Sequence, residues 1–332
     1  MPCLALRLGK TMFAEESNGI IEFEGPTPGP RIIVMGGVHG NEGTGIECLK
    51  WLNIYLRNNP IKSGTVVLCH GNPEATRQNK RFIDEDLNRL MREDILDKIR
   101  RMPPIERNTE QNRALLLANI LQAAHVIDLH NTESPTERTF CITSQTTGNQ
   151  KVAAFFQLDT TLYVAEDAEI PSLCTGMDDY ANANGMVGVC VEAGYTYDPQ
   201  GFKSIQAGII RTLQHFGVIP TSHIFDHSEA IVETQEIYQQ VMVKDPATFK
   251  FAQNWTGFTK VQAGQVLAYQ GETPIQAEEG SFIIFPKNRE RWAAGKPSLY
   301  LARAVSSTSK QQNKRKDVAC TTTINSQRQL TH

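Results

Sequence analysis

The sequence has no CxxC pair, no apolar run long enough to span a membrane and no excess of positive charge, and each absence narrows what the chain can be. Its seven cysteines (Cys3, Cys48, Cys69, Cys141, Cys174, Cys190 and Cys320) are odd in number and widely spaced. That is the pattern of reduced thiols rather than of a disulfide framework. Cys69 and Cys190 fall in apolar runs and read as core residues. The segment Met1–Arg7 lacks the basic stretch and long apolar stretch of a secretory leader, so the expected location is cytoplasmic. A net charge of −3 gives no sign of the strongly basic surface that nucleic acids and anionic membranes attract. Small molecules are therefore the expected partners. No serine nucleophile elbow, phosphate-cradling glycine loop or internal repeat occurs.

What remains is a chain of 332 residues, 40% hydrophobic and 21% charged, long enough for two domains with sizeable cores. Apolar runs near residues 3–8 and 20–23 predict two short strands, followed by the breaker Gly25-Pro-Thr-Pro-Gly-Pro30. Arg31–Met35 predicts a third strand, which enters a glycine-rich turn through Gly45. Ile46, Leu49, Trp51, Leu52 and Leu56 then recur at helical spacing, and Asn58-Asn-Pro60 ends that helix. Thr65–Cys69 is strand-like. A polar segment from Gly71 to Arg89 interleaves arginines with asparagines. Helices are predicted at 91–101, 110–123, 151–157 and 205–216, and strands at 126–130, 139–143, 160–164 and 186–192.

Alternation of this kind predicts an α/β domain, a mainly parallel or mixed sheet with flanking helices, over residues 1–220. Beyond it, short β-like runs at 230–234, 238–243, 258–261, 266–269, 281–285 and 298–304 are separated by glycine and proline turns. They predict a small all-β domain at 221–305. Residues 306–332 read as a disordered polar tail, whose basic run Lys310–Lys316 is a solvated stretch, a nuclear signal or an anion contact.

In a sheet of this class, ligands bind beyond the C-terminal ends of the strands. His39 with Glu42, the Asn72–Arg89 loop, His130 and Glu192 all fall there. Hydrolytic zinc needs three protein ligands and an open position for water, and His39, Glu42 and His130 supply that set. His130 alone also reads as a strand-end histidine capping a backbone group. Asp128, two residues earlier on the same strand face, could orient its imidazole as a ligand. Glu192, closing an apolar strand, reads either as half of a sheet-edge salt bridge or as a base beside activated water. Arg81, Asn88 and Arg89 have the chemistry to bind a carboxylate or polarise a carbonyl, or to pair with Asp84, Glu85 and Asp86. His223 and His227, four apart, would form a metal pair only on a helix, which Pro220 disfavours.

The phrases Gly36-Gly-Val-His-Gly-Asn-Glu42, Gly71-Asn-Pro73, Arg81-Phe-Ile-Asp-Glu-Asp-Leu-Asn-Arg89, Asp128-Leu-His-Asn-Thr132 and Glu192-Ala-Gly194, in this order, resemble the aspartoacylase and succinylglutamate desuccinylase family. The resemblance implies a zinc carboxypeptidase-like fold and one zinc ion per chain, held by His39, Glu42 and His130. It also implies Glu192 as the catalytic carboxylate, Arg81 polarising the scissile carbonyl, Asn88 and Arg89 holding a substrate carboxylate, and the β domain walling the pocket. The implied activity is cleavage of the amide bond of a small N-acyl amino acid. The alternatives are a carboxypeptidase acting on peptides and a non-catalytic zinc-binding protein of the same fold; a homo-oligomer is compatible with any of them. One position departs from the family's pattern. A second substrate arginine stands ten residues before the catalytic glutamate in characterised members, and here that position is Asn182, with no arginine in residues 140–201.

Overall fold

In a computed structural model, the described residues are 17–133, 135–136, 138–195, 199–221 and 232–305. The strand expected near 3–8, the polar tail with its basic run, and His223 and His227 lie outside them. In chain order the elements are β1 (Ile20–Glu24), β2 (Arg31–Gly36), α1 (Gly43–Asn58), β3 (Thr65–His70), α2 (Pro73–Arg77), α3 (Glu93–Arg101), α4 (Thr109–Ile120) and β4 (His125–His130). Then come β5 (Phe140–Thr143), α5 (Thr147–Phe155), β6 (Thr160–Val164), α6 (Met177–Ala183), β7 (Gly188–Glu192) and α7 (Pro199–His215). The last run is β8 (Glu233–Val243), β9 (Phe249–Phe251), β10 (Lys260–Val261), β11 (Val266–Gln270), β12 (Thr273–Gln276), β13 (Ser281–Ile284) and β14 (Lys296–Ala304).

Alternate residues of the central strands enter opposite cores, as the pleat requires. Ile32 and Val34 of β2 pack with Leu49, Leu52 and Leu56 of α1, Val152 of α5 and Ile209 of α7. Ile33 and Met35 face the other way, onto Leu96 of α3, Leu117 of α4 and Met177 of α6. The sheet is therefore covered on both faces, which is why its strands read as continuous β-branched runs. Each fully buried leucine contributes about 1.5–3 kcal/mol.

Eleven strands form one sheet in the order β1-β3-β2-β4-β7-β5-β6-β8-β14-β13-β10, and β12-β11-β9 form a second, three-stranded one. Strands β3, β2, β4 and β7 run parallel, β5 is antiparallel to β7, and β6 and β8 are parallel to β5. The expected α/β architecture and the all-β C-terminal region are both present. The late strands β8, β14, β13 and β10 continue the main sheet, and the small sheet covers them around Trp255, Leu267 and Leu299. The runs at 230–234 and 238–243 meet in the single strand β8, so far as the described residues extend. Among the described residues, no helix is long and apolar enough to cross a membrane.

The turn after β2 fixes the site. Gly37 has φ of 67°, where a side chain would be strained. A Cβ on Gly36 would lie 2.6 Å from the backbone of Gly45. The first turn of α1 thus sits directly on the end of β2, with Glu42 at its N-terminal boundary.

Candidate active site

Register brings the site together. His130 and Glu192 are paired residues at the ends of β4 and β7, and the β2 turn delivers His39 and Glu42 beside them. His39 Nδ1 lies 2.7 Å from Glu42 Oε1, His130 Nδ1 3.0 Å from Glu42 Oε2, and the two Nδ1 atoms are 3.2 Å apart. These three residues can present ligand atoms that all lie within 4.8 Å of one another. The other ring nitrogens point away, His130 Nε2 to Asp128 Oδ2 at 2.9 Å and His39 Nε2 to Asp86 Oδ1 at 3.0 Å.

Carboxylate oxygens accept, so Asp128 and Asp86 hold the protons on the Nε2 atoms and leave both Nδ1 lone pairs directed at one point. Three acceptors cannot converge without positive charge between them, and either a proton on Nδ1 of His130 or a metal cation in its place supplies it. Burial opposes charge on His130, yet Asp128 and Glu42 outweigh it and raise its pKa well above the histidine range. Burial likewise opposes an ionised Glu42, but His39 and His130 hold it well below the usual carboxylate range. The donor set, its spacing and its orienting carboxylates fit zinc.

Around this point the loop residues divide their roles. Arg81 Nη1 donates to Glu42 Oε1 at 3.0 Å and lies 3.2 Å from Glu133 Oε1. Its Nε is 3.6 Å from Asp86, so the pairing with its own loop's acids is real for Arg81. Asp84 and Glu85 are engaged elsewhere, accepting from Thr109 N and from Asn108 and Gln111 of α4's N-terminal turn. The fully buried Glu110 accepts from the backbone N–H groups of Ile83, Asp84 and Glu85 and from Asn72, which fixes the loop's path. Asn131 joins the strand ends to α1: it accepts from Thr44 N and donates to Gly194 O, while its N–H donates to Glu42.

Glu192 is buried, and its Oε2 has no hydrogen-bond partner among the described residues. Burial pushes its carboxyl up to about 7; Glu42 adds to the rise, while His130, His39 and Arg81 oppose it. It lines a cavity of about 120 Å³ together with all of His39, Glu42, Arg81, Asn88, Arg89 and His130. Every site residue expected from the sequence is therefore in one place.

Asn182 is not among the cavity-lining residues. Its Oδ1 accepts from Gly188 N at 2.9 Å and from Asn149 Nδ2, so it secures the start of β7 to α5. The cavity instead receives Asp178 and Asp179 from the start of α6. Burial, then Asp179 and Asp128, hold Asp178 well above the usual range, and burial brings Asp179 up to about 6. Phe140, the register partner of Glu192 between β5 and β7, also lines the cavity, as do Phe258, Phe285, Tyr300 and Lys287. Phe258 and Phe285 have φ of 66° and 48°, unusual for bulky residues, and both rings pack on Phe140 at centroid distances of 5.1 and 5.5 Å. Sequence reasoning missed these wall residues as well as Glu133 and the role of Asp86. The left-handed phenylalanines had no sequence signal, whereas the close spacing of Asp86 to Asn88 and Arg89 was a usable one.

The sequence model of the Succinylglutamate desuccinylase/Aspartoacylase catalytic domain matches residues 28–216. The chain belongs to this family. Similar curated family proteins include a succinylglutamate desuccinylase of Pseudomonas paraeruginosa, 40% identical over 63 residues that make up 19% of each chain. Another is a probable aspartoacylase of Prochlorococcus marinus, 32% identical over 111 residues, 31% of this chain and 34% of that one. The matched part thus spans about a fifth to a third of these relatives' length.

Among solved family structures, succinylglutamate desuccinylase from Vibrio cholerae superposes with a TM-score of 0.70 at 18% identity, covering 87% of this chain and 86% of that one. The ectoine utilization protein EutE (DoeB) from Ruegeria pomeroyi, in its product-bound structure, gives 0.63 at 15% identity, covering 85% and 88%. These likenesses establish the shared fold, C-terminal strands included.

Proposed function

We propose that this chain is a cytoplasmic, zinc-dependent hydrolase that cleaves the amide bond of a small N-acyl amino acid. The observation that carries this reading is the convergence of His39, Glu42 and His130, each histidine oriented by a carboxylate, beside a buried Glu192 with a free oxygen. Relatives named succinylglutamate desuccinylase and aspartoacylase support the amide-cleaving class. His39, Glu42 and His130 would hold the zinc, which when bound supplies a Lewis acid that acidifies water and polarises the carbonyl.

The remaining work belongs to the chain's own side chains. Glu192 takes a proton from the attacking water and returns it to the leaving amine nitrogen, and a carboxyl poised near neutrality suits both transfers. Arg81 offers its guanidinium to the oxygen on which negative charge develops. Arg89 and the Asn88 amide N–H hold the substrate carboxylate, while the buried Asn88 Oδ1, with no partner among the described residues, is free to accept an N–H of the substrate. We assign residues 1–220 to the catalytic unit and 221–305 to the pocket wall. A wall of this kind favours small substrates over peptide chains, because residues from both units close around the cavity.

Changing Glu192 to Gln tests the reading. Turnover should fall by about 10²–10⁴-fold, the usual size of general acid–base catalysis, with zinc content by mass spectrometry unchanged. Retained turnover in that variant would remove Glu192 from the mechanism.

A further inference from the structure

Four cationic side chains line the cavity: Arg81, Arg89, Lys287 and Arg291. Two of them have carboxylate partners: Arg81 pairs with Glu42, Asp86 and Glu133, and Arg291 with Glu133. The other two do not. Arg89 donates to the backbone carbonyl of Asn88 at 2.8 Å, and neither Arg89 nor Lys287 has a carboxylate within ion-pair distance among the described residues. The two acids whose charge Arg89 feels are both engaged elsewhere, Asp86 with His39 Nε2 at 3.0 Å and Asp179 with Gly176 N at 2.9 Å. A partly desolvated cation without a counter-ion is costly, and two sharing a cavity repel one another. Such a pair is suited to an anion from outside the chain.

Lys287 is also held in place. Its backbone N–H donates to Ser298 O at 2.8 Å, and its carbonyl accepts from Trp292 Nε1 at 2.9 Å. Its ammonium stands 5.9 Å from the ring centre of Tyr300, which is buried and bonded through its hydroxyl to Ser172. A lysine anchored on both sides of its Cα and lying against an aromatic ring is pre-organised for a ligand, because part of its ordering entropy is already spent.

We propose that Lys287, from the segment after β13, grips the substrate carboxylate jointly with Arg89, making it a substrate-binding residue contributed by the C-terminal strands. This rests on the deacylase reading of the site and deepens it: the substrate's carboxylate would lie between the two halves of the cavity. The groups acting on Lys287 agree. Burial, then Arg89 and Arg291, push its ammonium down to about 8, with Arg81 adding to the effect and Glu133 opposing it. A bound carboxylate would restore the charge, so affinity for an acid should weaken as pH rises above about 8 in the wild type.

The test uses N-acetylglycine, N-acetyl-L-phenylalanine and N-acetyl-L-aspartate, with the corresponding C-terminal carboxamides of the first two and the α-carboxamide of the third. Kinetics and calorimetric binding are measured on the zinc-loaded full chain and its Lys287→Met and Lys287→Arg variants. For the acids, Lys287→Met should raise KM or Kd about tenfold, the scale of one charge-assisted hydrogen bond, with kcat little changed. For the carboxamides it should change KM or Kd less than twofold, and Lys287→Arg should keep most of the acid preference. Equal losses for acids and amides, or no loss for either, would overturn the proposal while leaving hydrolysis intact. If the wild type hydrolyses none of the probes but Lys287→Met still weakens acid binding selectively, N-acetyl hydrolysis is excluded and the anion site stands. Binding of neither acids nor amides to the wild type would overturn the proposal as well.

Discussion

At the strand ends, every ring nitrogen of His39 and His130 and both oxygens of Glu42 have a partner, whereas the wall from the C-terminal strands offers phenylalanine rings and an ammonium with no carboxylate at ion-pair distance among the described residues. The first side is a web in which Asp86, Asp128, Asn131 and Arg81 each hold a neighbour, so removing one member disturbs several. The second is a set of separate surfaces. Groups that act as a unit give non-additive losses, while separated contacts give independent ones. The difference implies that chemistry and selectivity are built by different parts of the chain and can be altered independently.

The largest effect expected on the web side comes from His130→Ala, which removes a ligand and frees Asp128 and Glu42 at once. Zinc content should drop below stoichiometric and hydrolysis to background, and adding His39→Ala should cost little more. Additive losses in that pair, read from kcat/KM, would break the idea of a unit. Arg81→Met comes next, with kcat lower by about 10²–10³-fold, the size of one lost oxyanion contact, and with zinc retained.

On the wall side the effects shrink and change character. Phe285→Ala should alter the kcat/KM ratio between N-acetyl-L-phenylalanine and N-acetyl-L-alanine by about tenfold, the scale of a changed apolar pocket, with zinc content unaffected. An unchanged ratio would show that this wall does not read the substrate. The pH profile separates the two sides at the finest scale. Glu192 must be ionised to act as base, so kcat/KM should fall with acidity below a limb at or below pH 7, bound zinc drawing it lower. An alkaline limb near 8 is expected from Lys287, because burial and the neighbouring arginines push its ammonium down to about 8. Lys287→Arg should move only the alkaline limb upward, and a shift of both limbs together would contradict the assignment.

The same division decided what could be read from sequence. His39, Glu42, His130 and Glu192 were legible because they close β-branched or apolar strands in a sheet whose ligands bind at strand ends, and Asp128 because period-two geometry puts it on His130's face. Glu110 gave no such signal, since its three N–H partners at 83–85 lie across a loop whose path only the tertiary structure reveals. Asn182 could be counted back from Glu192, but counting does not say where a side chain lies; it secures β7 to α5 and stays out of the cavity. Phe258, Phe285 and Tyr300 read as ordinary strand apolar residues, and Lys287 as a coil lysine. Their meaning comes from β8, β14 and β13 continuing the main sheet, which brings them to the same cavity as the parallel strand ends.

The central claim, amide hydrolysis at the His39–Glu42–His130 centre, is tested most directly by measuring amine release by the zinc-loaded chain. The substrates are acetyl, succinyl and longer-acyl derivatives of acidic, neutral and basic amino acids. The account predicts multiple turnovers on at least one of them, loss on chelation and recovery on adding zinc back. No release across the panel from protein carrying one zinc per chain would contradict it.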